Sequence, residues 1–282
     1  MGMAQTVTVF DAAERDQYER QGFVIRESLF AADEVQELIQ ISEQLVEDMI
    51  GERRGRRARA GSYVFEPNAE LAVMIKWEGD SDIVHGIEPC AHLSPAMKQW
   101  ANDPRLVGPM QHLCGDPEPS LFTEKLNLKR PFVGGRNPLH QDYPYWTDLT
   151  DDPGRFATAM VFLDDATLEN GCLQVVAGSH ALGLQRMRDD DDEFGNNEMD
   201  PSPFLGAPLT PVEVPAGSVL YFGSLLVHMS EQNTSDRERR ALLFSYGPHD
   251  QRHMSEVLAE EMAPRDAQAA GSPRVASDSS EG

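Results

Sequence analysis

From Leu121 onward the chain stops repeating its apolar residues at helical spacing and breaks into short apolar runs punctuated by Pro and Gly. That switch of period narrows the possible folds more than any other feature. Successive short runs bounded by turn formers build half-buried strands, and many in a row require an all-β barrel or sandwich. The runs predict strands at 121–128, 137–142, 157–163, 172–176, 212–214, 218–222, 225–229 and 240–246. Upstream the pattern is helical. Leu38, Ile41, Leu45 and Met49 recur at three- and four-residue spacing behind Asp33-Glu34, so helices are expected at 11–21 and 32–50 with a short strand at 22–26 between them. Helices also fit 95–101 and 104–113.

Within the β region, His140-Gln141-Asp142 stands on a predicted strand, and His228 follows in Val227-His228-Met229-Ser230 with Arg239 eleven residues further on. Alternate side chains of a strand share a face, so H-x-D aims one imidazole and one carboxylate at the same spot and turns Gln141 away. A second imidazole from a distant strand completes two His and one carboxylate on one face of an octahedral ion, leaving room for a chelating cosubstrate and oxygen. Nitrogen and oxygen donors without thiolate suit Fe(II) better than a closed structural zinc site.

Size and charge bound the rest. The 282 residues suffice for one well-buried domain, expected over 1–263, and the Ala-, Ser-, Gly- and Asp-rich stretch 264–282 is expected to be a disordered tail. With 24 Lys and Arg against 47 Asp and Glu, the formal net charge of -23 argues against nucleic acid and anionic membrane surfaces as partners. The absence of a long apolar run and of a basic-then-apolar N-terminus predicts a cytoplasmic protein. Cys90, Cys114 and Cys172 are odd in number and far apart, so they read as small core residues rather than a disulfide framework. The basic segment 53–59 is either a solvated loop or a guide for an anionic substrate. The long polar segment 184–211, with its acidic run 189–193, is either a lid or a solvated excursion.

Several motifs in order carry a resemblance: Asn137-Pro138-Leu139-His140-Gln141-Asp142, then Glu169-Asn170-Gly171-Cys172-Leu173 running into Ala177-Gly178-Ser179-His180, then His228-x-Ser230-x-x-Asn233, and Arg239-Arg240-Ala241. Together they resemble the phytanoyl-CoA dioxygenase family, and the likeness covers most of the chain. The resemblance implies a double-stranded β-helix, the cupin-like jelly roll, holding Fe(II) and 2-oxoglutarate and consuming O2. It makes His140, Asp142 and His228 the metal ligands and Arg239 the holder of the distal carboxylate of 2-oxoglutarate, a task suited to a planar guanidinium. Arg240 then faces the opposite side of the strand. Ser230 is placed for the same carboxylate, and Asn127, Lys129 and Thr123, sharing one parity, are candidates for further cosubstrate contacts. Two departures touch only the finer pocket: Ser218 follows Ala216-Gly217 where an acid is common, and Met160 stands where some members have an aromatic. Asp142 argues against halogenation, because members that halogenate have a small residue there.

Tyr143, Tyr145 and Trp146 directly follow the metal motif and are candidates for a substrate wall, or for core packing. His180 reads as structural, and His85, His92, His112, His249 and His253 as ordinary surface or packed histidines. The expected activity is oxidation, in first place hydroxylation, of an unactivated C–H bond of a small organic molecule in specialised metabolism. Desaturation, epimerisation, cyclisation and endoperoxide formation start from the same cofactors. A non-catalytic metal- or ligand-binding jelly roll, or a cupin-like enzyme that uses iron without 2-oxoglutarate, is the rival of another class. The sequence does not set the oligomeric state.

Overall fold

The computed structural model describes residues 9–51, 56–60, 63–147, 152–187 and 199–262. In chain order the elements are α1 (Ala12–Gln21), β1 (Phe23–Arg26), α2 (Ala32–Gly51), β2 (Ala58–Ala60), β3 (Tyr63–Asn68), β4 (Val73–Trp77), β5 (Val84–Glu88), α3 (Pro95–Trp100), α4 (Pro104–Leu113), β6 (Ser120–Lys129), β7 (Asn137–His140), α5 (Tyr143–Trp146), β8 (Ala157–Phe162), β9 (Leu173–Val175), β10 (Thr210–Pro211), β11 (Val219–Gly223), β12 (His228–Ser230), β13 (Arg239–Gly247) and α6 (Met254–Glu261). The expected mainly-β fold with flanking helices is what forms, and it is the cupin-like jelly roll.

Two antiparallel sheets enclose a lumen. The larger runs β1-β11-β8-β13-β6-β5-β4-β3-β2 and the smaller β10-β9-β12-β7. Alternation sorts each strand of the large sheet. Leu126 and Leu128 of β6, Val161 of β8, Tyr221 of β11 and Leu242 and Phe244 of β13 point outward into a core shared with α2 and α4. Met160, Phe162, Leu220, Phe222 and Ala241 point inward and meet Leu173 and Val175 of the small sheet. The buried stripe Val35, Leu38, Leu45, Val46 and Met49 seats α2 on the outer face. At the start of the chain Asp11 and Glu14 form a capping box on α1, and Gly22, at φ 82°, ends that helix and turns it into β1. A Cβ at Gly22 would strike the ring of His180, which also lies 5.9 Å from the Tyr18 ring. His180 is therefore a packing residue, as its sequence context suggests.

The strands expected at 121–128, 157–163, 218–222 and 240–246 form nearly as read. Four strands, β2 to β5, lie in a region where periodicity shows no sheet; they extend the large sheet beyond β6 by pairing edge to edge. In β3 the alternating buried positions include Glu66 and Asn68, so apolar residues do not mark them, and β5 is buried at four consecutive positions. The expected strand at 212–214 shrinks to a single bridge between Ala166 and Val214. Within the basic segment, Arg57 pairs with Glu66 and Asp82, and Arg59 with Asp80. Within 184–211 the ends are drawn together by a Met187–Met199 bridge, and buried Phe204 packs beside Val176 and Val227; the acidic run 189–193 and the predicted tail 264–282 lie outside the described residues. All three cysteines are free and buried, and burial pushes the Cys172 thiol up to about 11, which keeps it inert.

Candidate active site

The small sheet brings the two imidazoles together. β12 lies between β9 and β7, and its register sets His228 directly opposite His140, with ring centroids 4.1 Å apart. Asp142 arrives differently from the expectation. β7 ends at His140, and Asp142 has helical backbone angles at the start of α5, so a turn rather than strand alternation swings the carboxylate under the rings. The result converges all the same: Asp142 Oδ1 lies 3.8 Å from Nε2 of His140 and 3.8 Å from Nε2 of His228. The three ligand atoms fall within 4.8 Å of one another.

Orientation of each ring is fixed by the chain itself. Nδ1 of His140 donates to the Pro138 carbonyl at 2.7 Å, and Nδ1 of His228 to the Leu226 carbonyl at 2.9 Å. With the proton held at Nδ1, the lone pair of each Nε2 is directed at the common point, which is the tautomer a metal requires. Burial, then the neighbouring His228, holds the His140 imidazole neutral by driving its pKa well below the usual value, and burial pushes the Asp142 carboxyl up. A divalent cation reverses the second effect, because its charge becomes the largest in the site. Gln141 faces away, as parity requires. Its amide donates to the Gly183 and Leu225 carbonyls and accepts from Gln185 N–H, tying the loop before His228 to the metal turn.

Arg239 opens β13 and points into the lumen, 2% exposed. Its Nε and Nη1 are buried with no hydrogen-bond partner among the described residues. Burial lowers its pKa to about 10, with Cys172 and Asp164 only partly offsetting this. A buried guanidinium with orphaned donors is costly unless an anion completes it. Arg240 points the other way, as expected, and is satisfied by Asp164 at 2.7 Å and Glu43 at 3.0 Å. Ser230, on the His228 face of β12, is buried and accepts from Asn137 Nδ2 at 3.3 Å, leaving its own proton free to donate.

The three weaker cosubstrate candidates separate. Lys129 is the cross-strand partner of Arg239, but its ammonium donates to the carbonyls of Gly135 and Glu231, the latter at 2.6 Å. It bridges the two sheets next to Ser230, and burial together with the Arg239 charge drives it down to about 6. The Glu169-Asn170-Gly171 motif serves this bridge: Gly171, at φ 78°, lies against the Glu231 carbonyl and the Lys129 stem where no Cβ fits. Asn127 faces the lumen with a buried Oδ1 that lacks a partner among the described residues. Thr123 is not brought to this end of the lumen. Its hydroxyl donates to Glu88 at 3.2 Å, six residues along β6 from Lys129.

The aromatic candidates separate too. Trp146 is 6% exposed and packs with Phe122 and Phe156, so it belongs to the core and not to a substrate wall. Tyr145, on the same short helix, is 39% exposed and stands edge-on to the His140 ring at 5.9 Å. Tyr143 is half-buried and packs near Gly154. Two departures from the resembled pattern find local reasons. Ser218 is wholly buried and accepts from Ser28 N–H, pinning the chain after β1 to β11, and Met160 fills the inward core. Sequence reasoning missed a buried pair, His85 with Glu78 at 2.7 Å, and a lumen pair, Lys125 with Glu88 at 3.0 Å. Only the parity of Lys125 with Asn127 and Lys129 hinted at the second.

A family model for phytanoyl-CoA dioxygenase (PhyH) matches residues 18–241. The chain belongs to the phytanoyl-CoA dioxygenase family. Among relatives, L-proline trans-4-hydroxylase of Streptomyces griseoviridis is 29% identical over 189 residues, 60% of this chain and 69% of its own length. The ectoine dioxygenase of Halomonas elongata is 25% identical over 269 residues, 90% of this chain and 75% of its own. Among solved structures, EctD from S. alaskensis with 2-oxoglutarate and 5-hydroxyectoine superposes with TM-score 0.67 at 23% identity, covering 89% of this chain and 80% of that one. The carbocyclase SnoK from nogalamycin biosynthesis does so with TM-score 0.62 at 20% identity, covering 87% of each. This phytanoyl-CoA dioxygenase family member is thus a dioxygenase with the metal triad of its site assembled.

Proposed function

We propose that this dioxygenase uses Fe(II), 2-oxoglutarate and O2 to oxidise an unactivated C–H bond of a small organic molecule, in first place by hydroxylation. The observation that carries the reading is the pairing of the His140, Asp142 and His228 triad with a buried guanidinium at Arg239 whose donors await an anion. A metal-binding module without a keto-acid cosubstrate has no use for that buried charge.

Both imidazoles present their Nε2 atoms and Asp142 supplies a carboxylate oxygen, a donor set that fits Fe(II) on one face and leaves the lumen side open. When bound, iron with 2-oxoglutarate and O2 supplies the oxidising power, one oxygen atom going to succinate as CO2 leaves and the other to the substrate. Arg239 holds the distal carboxylate of 2-oxoglutarate through its fork, and the Ser230 hydroxyl donates to the same group. Asn127 offers its amide to the cosubstrate from β6, and Lys129 keeps that end of the lumen closed by bridging to Gly135 and Glu231. Tyr145 forms the wall beside His140. Solvated edges thus stay away from the reacting carbon.

Substrates of this class are small molecules, and the assignment to specialised metabolism draws on neighbours such as SnoK and the epimerase SnoN, both from nogalamycin biosynthesis. Those same neighbours favour a second outcome from the same cofactors, ring closure or epimerisation. No helix among the described residues is long and apolar enough to cross a membrane, and with the net charge of -23 this supports a cytoplasmic enzyme with neither nucleic acid nor membrane as partner. Anaerobic addition of Fe(II) and 2-oxoglutarate to the purified protein tests the reading. A weak visible charge-transfer band, followed by succinate on admitting oxygen, is expected; bound iron with neither band nor succinate refutes it.

A further inference from the structure

The lumen carries a second charged constellation that the cosubstrate leaves unused. On β6, Lys125 shares the inward face with Asn127 and Lys129, whereas Leu126 and Leu128 are buried outward. Gly86 pairs with Asn127, so in the same antiparallel register Glu88 of β5 stands opposite Lys125. Their charged ends lie 3.0 Å apart, and the Thr123 hydroxyl braces the other carboxylate oxygen at 3.2 Å. Both residues sit inside the barrel, yet their side chains are 33% and 22% exposed, so they line open space rather than core. That space adjoins the metal triad: the charges of Lys125 and Glu88 both act on Asp142, and that of Lys125 on His140. Four residues separate Lys125 from Lys129, roughly 13 Å along the strand, which puts the pair well away from the Arg239 end. Beside it Gly86, registered between Lys76 and Asn127, adds no side chain, and the Asn127 amide lies over it.

An ion pair open to a wet lumen contributes little to stability. Its chemistry is unfinished instead. An ammonium has three donors and a carboxylate about four acceptor positions. Among the described residues Lys125 has Glu88 as its hydrogen-bonding partner, and Glu88 has Lys125 and Thr123.

We propose that the Lys125–Glu88 pair recognises the head of a zwitterionic substrate, an α-amino or imino acid whose carboxylate engages Lys125 and whose ammonium engages Glu88, presenting a carbon of its side chain to the metal. This deepens, and rests on, the function proposed above. Charge balance supplies the selectivity. A ligand with adjacent opposite charges replaces one ion pair by two and strands no charge, whereas a singly charged ligand engages one member of the pair and leaves the other without its partner. A neutral ligand satisfies neither.

Calorimetric titration of the full chain, held anaerobic with Fe(II) and 2-oxoglutarate, with L-proline, L-leucine, L-ornithine and L-arginine tests this, each amino acid compared with its N-acetyl derivative and methyl ester. At least one free acid is expected to bind about tenfold or more tighter than both of its derivatives. Lys125→Met and Glu88→Gln are each expected to weaken that binding by about tenfold or more, with Lys125→Arg recovering part of it. In turnover the loss falls on KM for the amino acid more than on kcat. Equal binding of free acids and derivatives, no binding by any free acid, or unchanged affinity in folded Lys125→Met and Glu88→Gln proteins overturns the proposal. The charge-transfer band and amino-acid-independent succinate are read in parallel. If they are present without zwitterion binding, only this inference fails; if they are absent while zwitterion binding persists, the iron and 2-oxoglutarate reading fails instead.

Discussion

Replacing Arg239 separates a functional buried charge from a structural one, because the two roles give opposite signs for stability. Arg239→Met keeps the volume and apolar stem of the side chain and removes the guanidinium. In the protein without cosubstrate, Nε and Nη1 of Arg239 are buried and unpartnered, and burial has already lowered its pKa to about 10. Exchanging such a charge for an apolar side chain of similar size is expected to stabilise the fold by about 1–3 kcal/mol. At about 2–4 °C per kcal/mol for a domain of this order, the melting temperature rises by several degrees. Cosubstrate binding moves the opposite way. Each hydrogen bond to a charged group contributes about 1.5–3 kcal/mol, so loss of a two-pronged contact weakens 2-oxoglutarate by roughly a hundredfold or more. Calorimetric melting without ligand and the 2-oxoglutarate dependence of the anaerobic charge-transfer band read the two effects on one preparation. Arg239→Lys, a point charge without a fork, falls between. A folded Arg239→Met protein that melts lower than the parent, or that binds 2-oxoglutarate unchanged, refutes the reasoning.

Removal of one triad imidazole, His228→Ala, is expected to abolish stoichiometric Fe(II) binding, checked by metal analysis after anaerobic desalting, while circular dichroism stays that of the parent. His85 is buried and its pKa is lowered to about 3, chiefly by burial and next by Lys76. The unfolded chain takes up this proton near pH 6.5 and the folded one only near 3, so stability falls as pH drops through that window, by about 1.4 kcal/mol per unit. Denaturant titrations from pH 7 to 4 read that slope, and His85→Gln is expected to flatten it; an unchanged slope rejects the assignment. Trp146→Ala is expected to cost about 3–5 kcal/mol of stability as a core cavity. Tyr145→Ala, at an exposed position beside His140, changes unfolding by about 0.5 kcal/mol or less and instead raises the ratio of succinate formed to substrate oxidised.

Much of the site is legible without coordinates because it obeys local rules. Parity along one strand separates Arg239 from Arg240, and the structure turns one into the lumen and the other to Asp164 and Glu43. Parity also aligns Ser230 with His228. The triad was legible from residue type and order, although strand alternation was the wrong reason for Asp142, whose approach depends on where β7 stops. Lys129 shows the limit. Its side and its neighbour could be read, but the carbonyls it reaches belong to Gly135 and to Glu231, 102 positions on.

The chain alone determined the helix-to-strand switch, the donor set and the side of the strand that each charged residue occupies, because periodicity and residue chemistry are properties of neighbours in sequence. Tertiary structure decided which strands meet: it added β2 to β5, laid His228 against His140, buried Trp146 and closed Lys125 onto Glu88. β2 to β5 pair with their neighbours in the chain, but the other meetings join segments distant in sequence, where register is selected by the packing of whole sheets and leaves no repeat for local patterning to record.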